Sequence, residues 1–270
     1  MAPIHPFFEV ERPIVIGHRG SAGTCPENTL LSFEIALRDG AQILESDIHV
    51  SKDGVPILLH DPDLERTTGE KGPASERTFA AIRDLDAGHV FEQRTGRPLD
   101  RKEPIRIPSL EEAFERFPDA RFNLEIKCPD EAGIQATLDL IERFDRADRT
   151  LLAAGDDAIM HDLRAALAHR PIAPAMGASL SEIVGALRSA LEGVDMPPGV
   201  MALQIPPDFG GRPLATRAFV DHAHAHDVQV HVWTVNEIGE IEALLEIGVD
   251  GIITDHPGRM NAWLSRVGRR

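Results

Sequence analysis

The sequence predicts an α/β fold, a (β/α)8 TIM barrel with a small insertion after its second strand. Short apolar runs alternate with amphipathic stretches eight times along the chain, which is the order of elements in such a barrel. The chain has 270 residues, close to the length of one barrel, and no low-complexity segment or Ser/Gly linker divides it. We therefore treat residues 1–270 as a single domain. A strand count does not show whether the sheet closes, so a doubly wound parallel sheet is the alternative.

The predicted strands are short apolar runs bounded by turn residues. They are residues 14–16, 43–50, 122–127, 150–154, 172–176, 200–205, 228–235 and 251–254. The stretches between them repeat apolar residues with the period of a helix. These predicted helices are residues 29–38, 110–117, 133–144, 158–168, 180–191, 216–226, 237–247 and 260–267.

One connection is much longer than the others. Residues 61–107 separate the second predicted strand unit from its helix, whereas connections of about two to six residues are usual. The sequence therefore predicts an insertion at 61–107, and connections of this length are commonly functional.

The charge balance excludes several kinds of partner. Asp and Glu total 44 against 28 Lys and Arg, which gives a net charge of −16 at pH 7. Nucleic acids and anionic membranes attract basic surfaces, so we expect neither a nucleic-acid partner nor a stable membrane association. An anionic ligand would need positive charge supplied locally.

The chain contains no segment typical of a membrane helix or a secretion signal. The longest stretch without a charged side chain is residues 196–207, 12 residues, and a spanning helix needs roughly 18. A secretion signal has a basic region followed by an apolar run, and no such pattern precedes Glu9. We therefore expect a soluble, cytoplasmic protein. Cys25 and Cys128 form no CxxC pair and are expected to be plain thiols. The sequence does not determine the oligomeric state.

Three carboxylates are predicted to share one end of the barrel. Successive side chains of a strand point to opposite faces, so Glu45 and Asp47 lie on one face of ILESDIHV. The run FNLEIK places Glu125 and Lys127 together on one face in the same way. Carboxylates crowded in a partly buried site repel each other unless a cation neutralises them, and oxygen ligands favour one divalent cation, magnesium or calcium. The alternative is that these carboxylates pair with arginines of the outer ring.

Two histidines stand at the ends of predicted strands near this cluster. His18 follows the apolar run IVIG, and His60 ends the run VPILL that returns from the turn SKDG. Because an imidazole titrates near neutrality, the pair is suited to act as base and acid on a bound phosphate. Arg19 and Lys127, with a divalent cation, would balance the charge of the three carboxylates and one phosphodiester. We assign His18 as base and His60 as acid, although the sequence does not decide their order.

The segment PENTLLSFEIALRDG has a clear helix start and a clear helix end. Asn28 is predicted as the N-cap, and Gly40 is predicted to end the helix. We expect Asn28 and Thr29 to be structural, and Glu27 to be a residue that supports the site from behind.

Six segments of the chain carry a combined signature. They are HRGSAGTCPENT, ESDIHVSKDGVPILLHDPDLERTTG, IPSLEEAF, NLEIK, VHVWTVN and DGIITDHP. In order and spacing they resemble the glycerophosphodiester phosphodiesterases. The match runs from about Pro13 to Pro257, although residues 128–227 are matched mainly by their alternation of predicted strands and helices.

The resemblance implies a distorted TIM barrel and a metal-dependent phosphoric diester hydrolase. Its small-molecule substrates would be glycerophosphodiesters, split into glycerol 3-phosphate and an alcohol. It further implies that the glycerol's own hydroxyl attacks the phosphorus and that water opens the resulting cyclic phosphate. The positions that match the family's roles are the catalytic pair His18 and His60, the metal ligands Glu45, Asp47 and Glu125, the phosphate contacts Arg19 and Lys127, and the pocket aromatic Trp233. Trp233 is equally consistent with simple filling of the barrel.

Three alternatives stay open. A lysophospholipase D or a sphingomyelinase D-like enzyme resembles this family in the same core residues. Lys127, one of only four lysines, stands at a strand end as a Schiff-base lysine would in an aldolase, but such an enzyme does not need the carboxylates. A non-catalytic anion-binding barrel would bind phosphate esters without releasing an alcohol.

Overall fold

The computed structural model describes residues 5–96, 99 and 102–270, and it contains the predicted barrel. Its strands are β1 (Ile14–Gly17), β2 (Ile43–Val50), β3 (Pro56–Leu58), β4 (Arg121–Ile126), β5 (Thr150–Ala153), β6 (Ala175–Met176), β7 (Ala202–Ile205), β8 (Asp208–Phe209), β9 (Arg212–Pro213), β10 (Gln229–Val232) and β11 (Gly251–Thr254). The parallel strands follow the order β6, β5, β4, β2, β1, β11, β10, β7. The two ends of this path meet where the N–H of Met201 donates to the carbonyl of Met176 over 2.9 Å. The sheet is therefore a nearly closed barrel, and the doubly wound alternative is wrong.

Helices alternate with the barrel strands as predicted, and three short ones lie in the segment between β3 and β4 that precedes the second unit's helix. They are α1 (Leu30–Arg38), α2 (Glu65–Thr68), α3 (Phe79–Arg83), α4 (His89–Thr95), α5 (Leu110–Arg116), α6 (Glu131–Arg143), α7 (Asp157–Leu167), α8 (Leu180–Glu192), α9 (Arg217–Ala225), α10 (Ile238–Glu246) and α11 (Pro257–Arg266). The strand predicted at 228–235 shortens to Gln229–Val232, and the strand predicted at 172–176 shortens to Ala175–Met176. Pro174 directly precedes it and has no N–H to give to a neighbouring strand. Within the described part of the chain, no helix has the length and apolarity needed to cross a bilayer.

The start of α1 differs from the prediction. Thr29, not Asn28, is the N-cap, and its hydroxyl accepts a hydrogen bond from the Ser32 N–H at 3.2 Å. Asn28 instead has a φ of 54° and turns its side chain inward, where its Oδ1 accepts a hydrogen bond from the Ser46 hydroxyl at 2.7 Å. Asn enters this left-handed region more readily than most residues because its short polar side chain bonds locally.

The alternation of faces predicted for β2 and β4 is confirmed. Leu44 and Ile48 of β2 and Leu124 of β4 point outward into the apolar core that the sheet shares with its helices. The intervening polar side chains therefore point into the barrel. Phe7 and Phe8 pack with Ile14, Ile16 and other apolar side chains of the barrel interior. Apolar burial is thus concentrated away from the polar end of the barrel.

The segment between β3 and α5 has its own apolar cluster. Leu64 and Ile82 of this segment pack with Ile57 of β3. The cluster ties the segment to the strand that leads into His60. Residues 97, 98, 100 and 101 of the predicted insertion lie outside the described residues.

The two cysteines are free and buried. Burial raises the pKa of the Cys25 thiol to about 12. Because a thiolate is the reactive form, burial makes Cys25 an unreactive thiol at neutral pH.

A buried histidine inside the barrel makes the fold sensitive to acid. The Nε2 of His231 lies 3.0 Å from Oε1 of Gln229, and its Nδ1 has no partner among the described residues. Burial lowers the pKa of His231 to about 4, with Asp250 opposing the shift and Arg12 adding to it. In the unfolded chain a histidine titrates near about 6.5, so unfolding takes up a proton between these two pH values. The free energy of unfolding is therefore undiminished by His231 above about pH 6.5. It decreases as the pH falls from there towards 4.

We expect His231→Gln to reduce this loss, because glutamine does not take up a proton. Between pH 7 and pH 5, the free energy of unfolding should fall by about 2 kcal/mol less in the variant than in the wild type. Urea unfolding at the two pH values measures this difference. His169 is exposed and serves as the control position, where His169→Gln should leave the pH dependence unchanged. Equal pH dependence in His231→Gln and wild type would contradict the prediction.

Candidate active site

The predicted site residues meet in one cavity at the carboxyl end of the barrel strands. The cavity has a volume of about 380 Å³. Eight of the nine predicted residues line it: His18, Arg19, Glu45, Asp47, His60, Glu125, Lys127 and Trp233. The ninth, Glu27, lies behind this wall.

The carboxylates are aligned by the pairing of β2 with β4. Glu45 is opposite Asn123, and Asp47 is opposite Glu125. Glu45 is buried and accepts a hydrogen bond from the backbone N–H of Arg19 at 2.9 Å. Burial, together with the negative charge of Asp47, raises the pKa of Glu45 to about 7.

Asp47 is in contact with two cations and a side-chain amide. Arg19 Nε lies 3.4 Å from its Oδ2, and the Asn28 side-chain amide donates to the same oxygen at 3.1 Å. Lys127 Nζ lies 3.3 Å from Oδ1 of Asp47 and 3.3 Å from Oε2 of Glu125. Burial alone would lower the pKa of Lys127, but these two carboxylates raise it. Asp47 therefore pairs with Arg19 and Lys127, and Glu125 pairs with Lys127, and both of these cations line the cavity itself.

The cavity has the donors that a hard divalent cation prefers. Glu45, Asp47 and Glu125 supply carboxylate oxygens, and the buried Oδ1 of Asn123 has no partner among the described residues. Oxygen ligands of this kind suit magnesium or calcium. Over the described ranges, no three His, Cys, Asp or Glu side chains are arranged closely enough to enclose an ion. The chemistry of the donors fits a cation, with Lys127 lying between two of the carboxylates.

His18 is held by a carboxylate from the last barrel strand. Its Nδ1 lies 2.7 Å from Oδ1 of Asp255, and the Asn236 side-chain amide donates to Oδ2 of Asp255 at 2.7 Å. Because a carboxylate only accepts, Nδ1 of His18 carries the hydrogen and Nε2 is left for a ligand. Burial alone would lower the pKa of His18, but the Asp255 hydrogen bond and the charge of Glu45 raise it above its ordinary value.

His60 is held in the same way from the inserted segment. Its Nδ1 lies 2.6 Å from Oδ1 of Asp61, and Arg66 of α2 pairs with Oδ2 of Asp61. The other guanidinium nitrogens of Arg66 donate to both oxygens of Glu27 at 2.7 Å. Arg19 donates to Glu27 at 2.8 Å. Arg66 therefore connects the inserted segment to the loop after β1.

Glu27 is the centre of this connection. Burial alone would raise its pKa, but Arg66 and Arg19 lower the pKa of Glu27 to about 2. Glu27 is therefore charged at any ordinary pH and aligns two guanidinium groups, one of which reaches the cavity.

The residues that hold the two histidines were not predicted from the sequence. Asp255 and Asn236 lie in the quoted motifs DGIITDHP and VHVWTVN, while Asp61 and Arg66 lie in HDPDLERTTG. Asp61 directly follows His60, which was a usable signal. Asp255 is 237 residues from His18, and only the closed barrel brings them together.

Enzymes built on this barrel carry their chemistry at the carboxyl ends of the strands, where this cavity lies. The fold and the cavity thus define a TIM-barrel enzyme. Its particular kind follows from comparison with known sequences. The chain belongs to the glycerophosphoryl diester phosphodiesterase family, whose sequence profile matches residues 18–259, and it is a phosphodiester hydrolase.

Individual relatives cover nearly the whole chain. A glycerophosphodiester phosphodiesterase of Bacillus altitudinis is 31% identical over 259 residues, 91% of this chain and 95% of the relative. A human lysophospholipase D is 26% identical over 269 residues, 92% of this chain and 85% of the relative. An Oleispira antarctica phosphodiesterase, solved with the product sn-glycerol-3-phosphate, is 28% identical with a TM-score of 0.77, covering 94% of this chain and 97% of that one.

Proposed function

We propose that this chain hydrolyses glycerophosphodiesters to sn-glycerol 3-phosphate and an alcohol, with His18 and His60 as its acid-base pair. The observation that carries the proposal is the matched support of the two histidines. Each has Nδ1 fixed by a carboxylate, Asp255 or Asp61, and both histidines line the same cavity. A pair held in this way can take a proton on one side of a phosphorus and give one on the other.

His18 is proposed as the base and His60 as the acid. His18 removes the proton of the attacking hydroxyl, which in a glycerophosphodiester is the glycerol's own 2-hydroxyl. His60 gives its proton to the oxygen of the leaving alcohol. In the second half of the reaction the roles reverse, as water opens the cyclic phosphate and glycerol phosphate is released.

Positive charge in the cavity stabilises the phosphate. Arg19 and Lys127 both line it, and in this proposal they contact the phosphoryl oxygens. Glu45, Asp47 and Glu125 would hold one divalent cation, magnesium or calcium, which when bound supplies a Lewis acid that withdraws charge from the phosphoryl group. Trp233 forms part of the opposite wall of the cavity.

A substrate panel tests this function. The protein is incubated with glycerophosphodiesters that carry different head groups, with and without a chelator, and the phosphorylated product is identified. We expect sn-glycerol 3-phosphate, with the cyclic phosphate trapped at early times. Binding of phosphate esters without release of alcohol would support the anion-binding barrel instead.

The surroundings of Lys127 do not favour a Schiff-base aldolase. A Schiff-base lysine needs an uncharged amine, and such lysines have lowered pKa values. Asp47 and Glu125, each 3.3 Å from Nζ, raise the pKa of Lys127. Its ammonium group is thus suited to bind an anion.

The arginine that links the inserted segment to the barrel should act on turnover through His60. Arg66→Ala leaves Asp61 and Glu27 without their shared partner, so we expect kcat to fall about 10- to 100-fold with little change in KM. Arg66→Lys should restore part of the loss, because lysine keeps the charge but not the two-pronged contact. Arg77 pairs with Glu70 in the same segment and supplies the control, as Arg77→Ala should leave kcat unchanged. A loss confined to KM would place Arg66 in substrate binding.

A further inference from the structure

Asn28 lies buried between the loop after β1 and the middle of β2. The residue is 3% exposed. β1 pairs with β2 at Ile43 and Leu44, and β3 pairs with β2 from Ile48 onward. Residues 45–47 of β2 therefore lie between these two pairings, and Asn28 brings its side chain to the strand there.

The side-chain amide of Asn28 bonds to two neighbouring residues of β2. Its Nδ2 donates to Oδ2 of Asp47 at 3.1 Å, and its Oδ1 accepts from the Ser46 hydroxyl at 2.7 Å. Successive side chains of a strand point to opposite faces, so one amide holds a group on each face of β2. Because a carboxylate only accepts, the NH₂ end of the amide faces Asp47.

This amide makes the hydrogen bond that orients the Asp47 carboxylate. Arg19 Nε lies 3.4 Å from the same Oδ2, but it is buried and has no hydrogen-bond partner among the described residues. Lys127 Nζ approaches the other oxygen, Oδ1, at 3.3 Å. The bond from Asn28 to Oδ2 therefore fixes the plane of the carboxylate and leaves Oδ1 on the side of Lys127.

The backbone of Asn28 is fixed as well as its side chain. Its N–H donates to the carbonyl of Arg19 at 3.0 Å, and the Ser32 hydroxyl donates to the same carbonyl at 2.9 Å. Asn28 and Arg19 have φ values of 54° and 48°, in the left-handed region that residues other than glycine rarely enter. Such conformations are costly and concentrate at functional sites, where the surrounding contacts maintain them. The loop after β1 thus holds Asn28 in one place relative to β2.

We propose that Asn28 is a positioning residue for the hydrolysis, which orients the Asp47 carboxylate for binding of the divalent cation. The inference rests on the proposed function, because it takes Asp47 as a ligand of that cation. Asn28 does not itself line the cavity, so it acts through Asp47. This role goes beyond the structural one that the sequence indicated for Asn28.

A glycine substitution tests the amide without disturbing the backbone, because glycine adopts a positive φ at no steric cost. With choline release from sn-glycero-3-phosphocholine at saturating cation, we expect Asn28→Gly to lower kcat about 10- to 100-fold with little change in KM. Calorimetry on the cation-free protein should show a dissociation constant for magnesium or calcium about tenfold higher. Asp145 is exposed, has a φ of 51° and supplies the matched control, as Asp145→Gly should leave both quantities unchanged.

An aspartate substitution separates positioning from shaping of the loop. Asn28→Asp keeps the size of the side chain, an oxygen for Ser46 and a residue type that enters the left-handed region. It places a second carboxylate against Oδ2 of Asp47, and like charges at this distance repel. We therefore expect kcat to fall at least as far as in Asn28→Gly. If Asn28 only shaped the loop, Asn28→Asp would be the milder change and would overturn the proposal.

The remaining outcomes distinguish this inference from the proposed function. A wild type that releases no sn-glycerol 3-phosphate from sn-glycero-3-phosphocholine would reject the proposed function itself. Normal wild-type turnover, with kcat and the cation dissociation constant unchanged in Asn28→Gly, would overturn the inference alone. A lower melting temperature of Asn28→Gly with both constants kept would likewise make Asn28 purely structural. Wild-type turnover that persists in excess chelator would also overturn it, because Asp47 would then hold no cation.

Discussion

Replacing His18 or His60 with alanine is expected to lower kcat by about 10²- to 10⁴-fold, with a smaller change in KM. General acid-base catalysis contributes a factor of this size. Both imidazoles line the cavity, and each is held through Nδ1 by a carboxylate, Asp255 or Asp61. Steady-state release of choline from sn-glycero-3-phosphocholine measures the effect.

The two variants should also differ from each other in a way that assigns the roles. With a substrate whose leaving alcohol is strongly acidic, such as a nitrophenol, no proton needs to be given to the leaving oxygen. His60→Ala should then recover most of its activity, whereas His18→Ala should not. The reverse pattern would exchange base and acid.

A control at an exposed position separates catalysis from folding. His169→Ala should leave kcat unchanged, because that side chain is exposed and does not line the cavity. A His18→Ala protein that keeps its thermal stability and full activity would show that His18 is not an acid-base group.

Removal of divalent cations is the second change expected to have a large effect. We expect excess chelator to abolish turnover, and added magnesium or calcium to restore it. Three carboxylates in one cavity carry more negative charge than Arg19 and Lys127 balance once a phosphodiester enters, so we expect binding of the anion to require a cation. The ion that restores activity at the lower concentration is the preferred one.

Glu45→Gln tests the requirement for a divalent cation by removing one of its expected ligands. Loss of one buried carboxylate should lower kcat/KM by about 10²- to 10³-fold, equivalent to roughly 3–4 kcal/mol of transition-state stabilisation, and should raise the cation concentration needed for half-maximal activity. Glu242 lies exposed on α10, and Glu242→Gln provides the matched control. Full activity of the wild type in excess chelator would reject the requirement for a metal ion.

Much of the site could be predicted because strand alternation is a local property. The order of residues in ILESDIHV and FNLEIK determines that Glu45, Asp47, Glu125 and Lys127 point away from the apolar core. That prediction needs no knowledge of which strands are neighbours. The prediction of Asn28 as the N-cap of α1 was wrong, because the N-cap lies one residue later, at Thr29. Helix ends predicted from sequence are uncertain by about one residue.

The sequence by itself determined the repeated strand and helix units, the faces of the strands, and the chemical type of the site. The tertiary structure decided which groups orient His18 and His60. Closure of the barrel places β11 beside β1, which brings Asp255 to His18 across 237 residues of sequence. The folding of the segment after His60 brings Arg66 to Glu27, 39 residues away. Local periodicity carries no information about such pairs, because their contact depends on how distant strands and loops are arranged around the closed sheet.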